Sequence, residues 1–314
     1  MQAHALEDMN HIYPVNFSFP SDSICSEFRY FEDGKQRTVQ IGYIPVRHGE
    51  LNVLIPVHYL VVAAVILVRE DRQLKVWGSP ALEESVIVEK SLLPDQSVLT
   101  EFTDRGLQLL DSASTGPGGD YYSLKSRALR KAKDRRLSLE NQLIGNWRNS
   151  SVSQHSFLVV DGTLMNFRNE HSVERCVGVS KSFGSRYFDS SDHNRVMQMA
   201  EFERSWTFRF HSEEDETDDP RLGGRERISW YLRLRSALNA DPEFGLVRVE
   251  ISQRHAENAA EYADRFSRSL LSDRLPTGYP EPRWDNHLYP IRACERYLSS
   301  IIPSIATISA SMKG

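Results

Sequence analysis

The sequence predicts an α/β fold: a mixed β-sheet flanked by helices, with insertions between its elements. Three observations predict it. Short apolar runs rich in β-branched residues, Phe157–Val160 and Val177–Ser180, read as strands covered on both faces. Several strand-like runs joined by tight links fill the first 80 residues and read as an antiparallel meander. Helical periodicity over about Ser123–Trp147 and Ala256–Leu271 supplies the covering layers.

Composition bounds the rest. The chain has 314 residues, 40% hydrophobic and 26% charged, enough for one large domain with insertions or two smaller ones. The formal net charge of −5 gives no global basic character, although a nucleic-acid enzyme can keep its basic residues in local clusters. Cys25, Cys176 and Cys294 are far apart and form no CxxC pair, which points to a reducing compartment and away from zinc. The N-terminus, MQAHALEDMNH, lacks the basic-then-apolar order of a signal peptide. The longest apolar run, Leu60–Val68, is about half of what spans a bilayer. A soluble cytoplasmic protein with no membrane association is expected.

In chain order, residues 1–24 contain the cluster FSFPSDS and read as an irregular arm, with residues 25–314 as the main domain. In FRYFEDGKQRTVQIGYIPV two β-rich runs flank Asp33-Gly34, a hairpin signal. Leu51–Val57 and Leu60–Val68 read as two strands, with Leu74–Trp77 as a short third. Residues 81–111 read as partly helical, broken at Pro94, and with the loop ASTGPGGDY they form an insertion at about 78–122. The Ser123–Trp147 helix has a basic first half, LKSRALRKAKDRR. A second insertion, at about 211–226, carries the acidic run EEDETDD and reads as solvated. Ile228–Leu234 and Leu246–Ile251 read as strands. The helix Ala256–Leu271 has Ala260, Ala263, Phe266 and Leu270 on its apolar side. The Pro-rich stretch PTGYPEPRWDNH precedes a last helix, Ile291–Ile302, which ends at Pro303.

Four acids stand in an order that carries chemistry. Asp161 ends the Phe157–Val160 strand, where ligands of a helix-covered sheet collect. A carboxylate there either turns the chain with Gly162 or holds a cation. Asp33 is a hairpin turn residue, a cation ligand, or both. Glu140 lies on the helical side of Leu137, Leu143, Ile144 and Trp147, where a carboxylate wants a partner; the alternative is a surface charge. Glu295 shares a helical face with Ile291, Leu298 and Ile302; the alternative is an ion pair with Arg292 or Arg296. Strand acid, helix acid, strand acid and C-terminal helix acid is the order found in RNase H-like nucleases. Oxygen ligands of this kind suit Mg²⁺ or Mn²⁺, and two such ions support phosphodiester cleavage.

DGTL at Asp161, VGVSKS at Val177–Ser182 and LYPIRACERYL at Leu288–Leu298 resemble the NurA nucleases over roughly residues 25–303. EDGKQR at Glu32–Arg37 stands where that family has a first-strand DGS, with Lys35 in the serine position. The resemblance implies an RNase H-like, metal-dependent DNA nuclease, a homodimer working with a hexameric HerA-type ATPase in end processing or phage defence. It implies Asp33, Glu140, Asp161 and Glu295 as metal ligands, where Glu295 replaces the family's Asp or His. It implies Lys181 at the scissile phosphate or attacking water. Lys181 read bottom-up is equally a strand-end lysine in solvent. Tyr289 would stack on a base or position a phosphate, or else simply pack near the last helix. Arg127, Arg130 and Lys131 would track DNA backbone or form an exposed helix face. Arg283 and Trp284 would stack on single-stranded DNA. No GxxxxGK[ST] motif is present, so an ATPase would be a separate subunit. The competing reading is a catalytically inactive nucleic-acid-binding or scaffold subunit of the same fold.

Overall fold

The computed structural model describes residues 3–17, 26–48, 51–113, 120–167, 170–181, 187–211, 226–275 and 288–313. Its elements in the first half are β1 His4–Ala5, β2 Tyr13–Pro14, β3 Tyr30–His48, β4 Leu51–Glu70, β5 Gln73–Val76, β6 Ala81–Val88, α1 Thr100–Asp104, β7 Gln108–Asp111 and α2 Tyr121–Arg148. The second half adds β8 Leu158–Asp161, α3 Glu170–Val173, β9 Cys176–Ser180, α4 Ser190–Met197, β10 Glu203–Arg204, β11 Phe208–His211, β12 Glu226–Arg233, β13 Leu246–Ser252, α5 Ala259–Asp273, α6 Tyr289–Ile301 and α7 Ile305–Lys313. The architecture is α/β, a large mixed sheet flanked by helices. Two compact units divide the chain: Met1–Asp33, Ile66–Val76 and Ile144–Cys294, then Gly34–Val65, Trp77–Leu143 and Glu295–Gly314. The elements β3, β4, α2 and α6 are each continuous through a division point.

In the first unit the strand order runs β1-β11-β12-β13-β9-β8-β3. β8 pairs in parallel with both β9 and β3, and β13 pairs antiparallel with β9. Leu158, Val159 and Val160 are buried, as an apolar run between two parallel neighbours requires. One face is covered by α5, whose Ala263, Phe266 and Leu270 recur at helical spacing and are fully buried. Phe266 sits 4.8 Å from Phe157 and 5.2 Å from Phe28 between ring centroids, and Trp230 on β12 donates to Ser267 at 3.0 Å. An aromatic cluster of Tyr187, Trp206, Phe208, Phe210 and Tyr231 forms a second core.

The N-terminal segment belongs to this unit. His4–Ala5 pairs with β11, and Tyr13–Pro14 pairs with β10. Glu7 accepts two bonds from the buried Arg204 guanidinium and one from the Thr207 amide. Ile12 and Tyr13 pack on the aromatic cluster, so the apolar residues that read as an arm lie against the protein's own core.

The second unit contains the rest of β3, with β4, β6 and β7 in that order. Here the expected hairpin at Asp33-Gly34 is absent: β3 runs straight through both residues. A two-residue hairpin turn needs positive φ at its central positions, and Gly34 is not among the residues that adopt it. Parallel pairing of Tyr30–Glu32 with β8 carries the extended chain through instead. The expected strand pair Leu51–Val57 and Leu60–Val68 is one strand, β4, because His58 and Tyr59 are buried ladder residues facing Ile87 and Val86 of β6 rather than a link. Residues 81–88, in the stretch 81–111 expected to be partly helical, form β6 antiparallel to β4; among residues 81–111 helix is limited to short turns and Thr100–Asp104. The chain also continues past Pro303 into α7.

In this unit Leu124, Ala128, Ala132, Leu139 and Leu143 form the buried stripe of α2. Among the described residues, no helix is long and apolar enough to cross a membrane.

His58 is 2% exposed, and neither ring nitrogen has a hydrogen-bond partner among the described residues. Burial, aided by the charge of Lys125, pushes its imidazole down to about 4. The unfolded chain therefore takes up a proton near pH 6.5 that the folded chain refuses. The stability is complete above about pH 6.5 and falls by up to about 3 kcal/mol as pH drops through that window toward the folded value. His58→Leu should flatten this acid limb. Urea unfolding of both proteins at neutral and mildly acidic pH checks it; equal acid sensitivity would remove His58 as the cause.

Candidate metal centre

The site begins with strand register. Glu32 of β3 stands opposite Val160 of β8, so one step along both strands Asp33 and Asp161 leave a parallel pair side by side. Successive residues of a strand face opposite sides, so the two carboxylates share one face while Glu32 and Val160 share the other. The next strand, β9, brings Val179 beside Asp161 and ends just before Lys181. The Lys181 ammonium donates to both oxygens of Asp161, at 2.9 and 3.0 Å. Both side chains are about one-fifth exposed, at 19% and 21%.

Helix α6 carries Glu295, which is partly exposed. In the first unit, Cys294 is buried and its thiol donates to the Phe31 carbonyl at 3.5 Å. Burial first, then the charges of Asp33 and Glu32, push that thiol well above its ordinary value, so it packs as a neutral group. In the second unit, Lys35 donates to Ser299 at 2.6 Å, and Arg37 donates to the Pro303 carbonyl. Within the first unit, one carboxylate oxygen of Asp33 lies within 4.8 Å of one of Asp161. Two oxygens bound to one divalent ion stand no more than about 5 Å apart, so the pair is close enough to share a single hard cation.

Glu140 is buried on α2, paired with Arg136 one turn earlier, and lies against Gly34, where any Cβ would overlap its carboxylate. Gly34 therefore serves close approach of helix and strand rather than a turn. Tyr289 is 54% exposed at the start of α6. The basic stretch of α2 is partly neutralised: Arg127 pairs with Glu89 at 3.7 Å, and Arg135 pairs with Glu83 at 2.6 Å. Arg127 is half-buried beside the buried Glu89. Arg130 is exposed and Lys131 half-buried. Arg283 and Trp284 lie outside the described residues, as does the acidic run Glu213–Asp219.

A supporting group escaped the sequence reading. Glu250 on β13 is fully buried. It accepts from the Thr163 hydroxyl at 2.8 and 3.0 Å, from the Leu164 amide at 2.8 Å, and from Arg248 at 2.6 Å. These bonds fix the turn that leaves Asp161 through Gly162, whose φ is +110°. The turn lies over Gly178 of β9; a Cβ there would meet the Gly162 carbonyl at 2.8 Å and Leu164 at 2.9 Å. The available signal was a charged pair, Arg248 and Glu250, alternating with Val247, Val249 and Ile251 in a strand otherwise apolar.

No family model matches the chain, and no curated protein matches it.

Gly178→Ala should cost about 1–3 kcal/mol by overpacking the turn. Glu250→Gln should cost about 3 kcal/mol by leaving the buried Arg248 uncompensated. Thr163→Ser, which keeps the hydroxyl, should cost under about 1 kcal/mol. Denaturant unfolding of the three variants checks this order, and a neutral Gly178→Ala would refute the packing of the turn.

Proposed function

We propose that the protein is a metal-dependent nuclease that hydrolyses DNA phosphodiester bonds. The observation that carries the reading is the pair Asp33 and Asp161, side by side on adjacent parallel strands, with Lys181 bonded to Asp161. Acids from two adjacent parallel strands and one C-terminal helix match the order of the RNase H-like nucleases, and the sequence motifs resemble the NurA family within that class. Under this reading Asp33, Asp161 and Glu295 hold Mg²⁺ or Mn²⁺. The bound ion supplies Lewis acidity toward a phosphoryl oxygen and lowers the pKa of a coordinated water.

The chain's own groups do the rest. Asp33 and Asp161, set side by side by strand register, would hold the ion. Lys181 offers an ammonium beside them for the charge that gathers on the phosphate. Glu140 would serve a second ion by exchanging Arg136 for it. Tyr289, exposed at the head of α6, is available to a base or sugar. Arg130 and Lys131 on α2 offer phosphate contacts. The resemblance further supports a homodimer that works with a hexameric HerA-type ATPase, in end processing or antiphage defence.

Asp161→Asn keeps the size of the side chain and removes its charge. It should abolish Mn²⁺-dependent degradation of linear duplex DNA, by more than about a thousandfold, while the fold remains intact. Asp33→Asn should do the same. Cleavage assays over a Mn²⁺ titration, paired with thermal melts, decide the matter. Wild-type protein that leaves DNA uncut at every metal concentration, with or without an added hexameric ATPase, would overturn the proposal.

A further inference from the structure

The first unit holds a buried charge without a counter-charge. Arg233, the last residue of β12, is fully buried. Its guanidinium donates to four backbone carbonyls: Met197 at 2.7 Å, Met199 at 3.2 Å, Pro242 at 2.8 Å and Phe244 at 2.6 Å. Arg204 and Arg248, also buried, are each met by a carboxylate, Glu7 and Glu250. Among the described residues no carboxylate meets Arg233, and burial alone pushes its guanidinium down to about 10, so it stays charged at neutral pH. A buried ion ordinarily has a partner of opposite sign.

Three of the residues whose carbonyls hold Arg233, namely Met197, Met199 and Pro242, also line a cleft of about 470 Å³ between the end of α4 and the loop that joins β12 to β13. That size lies in the range of small-molecule sites. We propose that this cleft binds a small organic carboxylate, whose charge answers Arg233 and whose apolar body lies against Met197, Met199 and Leu238.

The chemistry of the lining favours that ligand. A guanidinium shut away from water leaves a positive potential that solvent screens weakly. The Met197, Met199 and Pro242 carbonyl oxygens, which would repel an anion, are engaged by Arg233. Asn194 and Gln198 bring side-chain N–H donors to the cleft, and the Ser236 hydroxyl, which accepts from the Leu238 amide at 3.2 Å, keeps its own proton to donate. The negative end of the α4 dipole, about half a charge, is outweighed by the full charge of the guanidinium. Asp241, the nearest acid in sequence, accepts from the Glu243 amide at 2.8 Å and is not part of the lining. A carboxylate with an aliphatic tail matches both the single cation and the apolar walls, whereas inorganic phosphate matches only the charge.

Titration of hexanoate into this chain, followed through the methyl NMR signals of Met197, Met199 and Ala237, tests the proposal. Hexanol, hexylammonium and inorganic phosphate are the comparison probes. Hexanoate should bind with a dissociation constant on the order of 1 mM, at least about tenfold more tightly than any of the three. Arg233→Lys, which keeps the charge, should retain this preference, and Arg233→Met should bind hexanoate and hexanol alike. Should Arg233→Met not fold, Gln198→Glu reads the same charge from the cleft side: it should weaken hexanoate at least about tenfold and leave hexanol unchanged. Equal affinity of wild type for hexanoate, hexanol and hexylammonium overturns the proposal, since the cleft is then an apolar surface only. Phosphate binding as tightly as hexanoate overturns it, and so does an unaltered preference in a folded Arg233→Met. Methyl signals that stay unmoved up to about 20 mM hexanoate overturn it outright.

Discussion

The parallel pairing of β3 with β8 is the constraint on which the site depends. Two strands that run the same way carry their side chains past one another in step, and the register that sets Glu32 against Val160 leaves two carboxylates adjacent. Close like charges are costly in a partly dry setting. The fold nevertheless keeps this register, since a slip by one residue would turn the buried Val160 and Val159 to the wrong faces. The apolar core thus fixes the position of the charges. Compensation comes from Lys181, which the end of β9 delivers to Asp161.

The same periodicity explains the opposite face. Glu32, Val160, Gly178 and Glu250 stand in register across four strands, one residue offset from Asp161, Val179 and Val249. Gly178 makes a gap in that row, and the turn after Asp161 fills it. Glu250, neutralised by Arg248, holds the turn through Thr163 and the Leu164 amide. The acid on one face is therefore steadied by a buried ion pair on the other. This gives a physical reason for the small residue in VGVS and the hydroxyl in DGTL, which motif reading noticed without accounting for either.

Periodicity made much of the architecture legible. The strands around Val159 and Val179 and the helices α2 and α5 follow from apolar runs and spacing. The failures have local causes. Asp33-Gly34 carries turn chemistry, yet Gly34 is needed for the approach of Glu140, and the dipeptide stays extended. His58 looked like a link because an imidazole seldom sits unpartnered inside a strand, whereas it does so here at the cost of its proton affinity. The β1 and β2 pairings join residues some two hundred positions apart, and such non-local ladders leave no mark in a short window. For Glu140 the spacing left a partnered carboxylate and a surface charge both open; the side chain is buried and paired with Arg136 one turn away.

Cys294 shows how a helix is seated beside acids. It is buried at the end of the first unit's share of α6, and its thiol donates to the carbonyl of Phe31, two residues before Asp33. Burial, with the charges of Asp33 and Glu32, keeps that thiol neutral. A larger side chain at 294 would lift the helix from the strand, and a charged one would add to the repulsion around the carboxylates. Asp33 thus depends on a small neutral contact beside it, as Asp161 depends on Val160 in β8: in both elements the residue that packs decides where the residue that carries charge must stand.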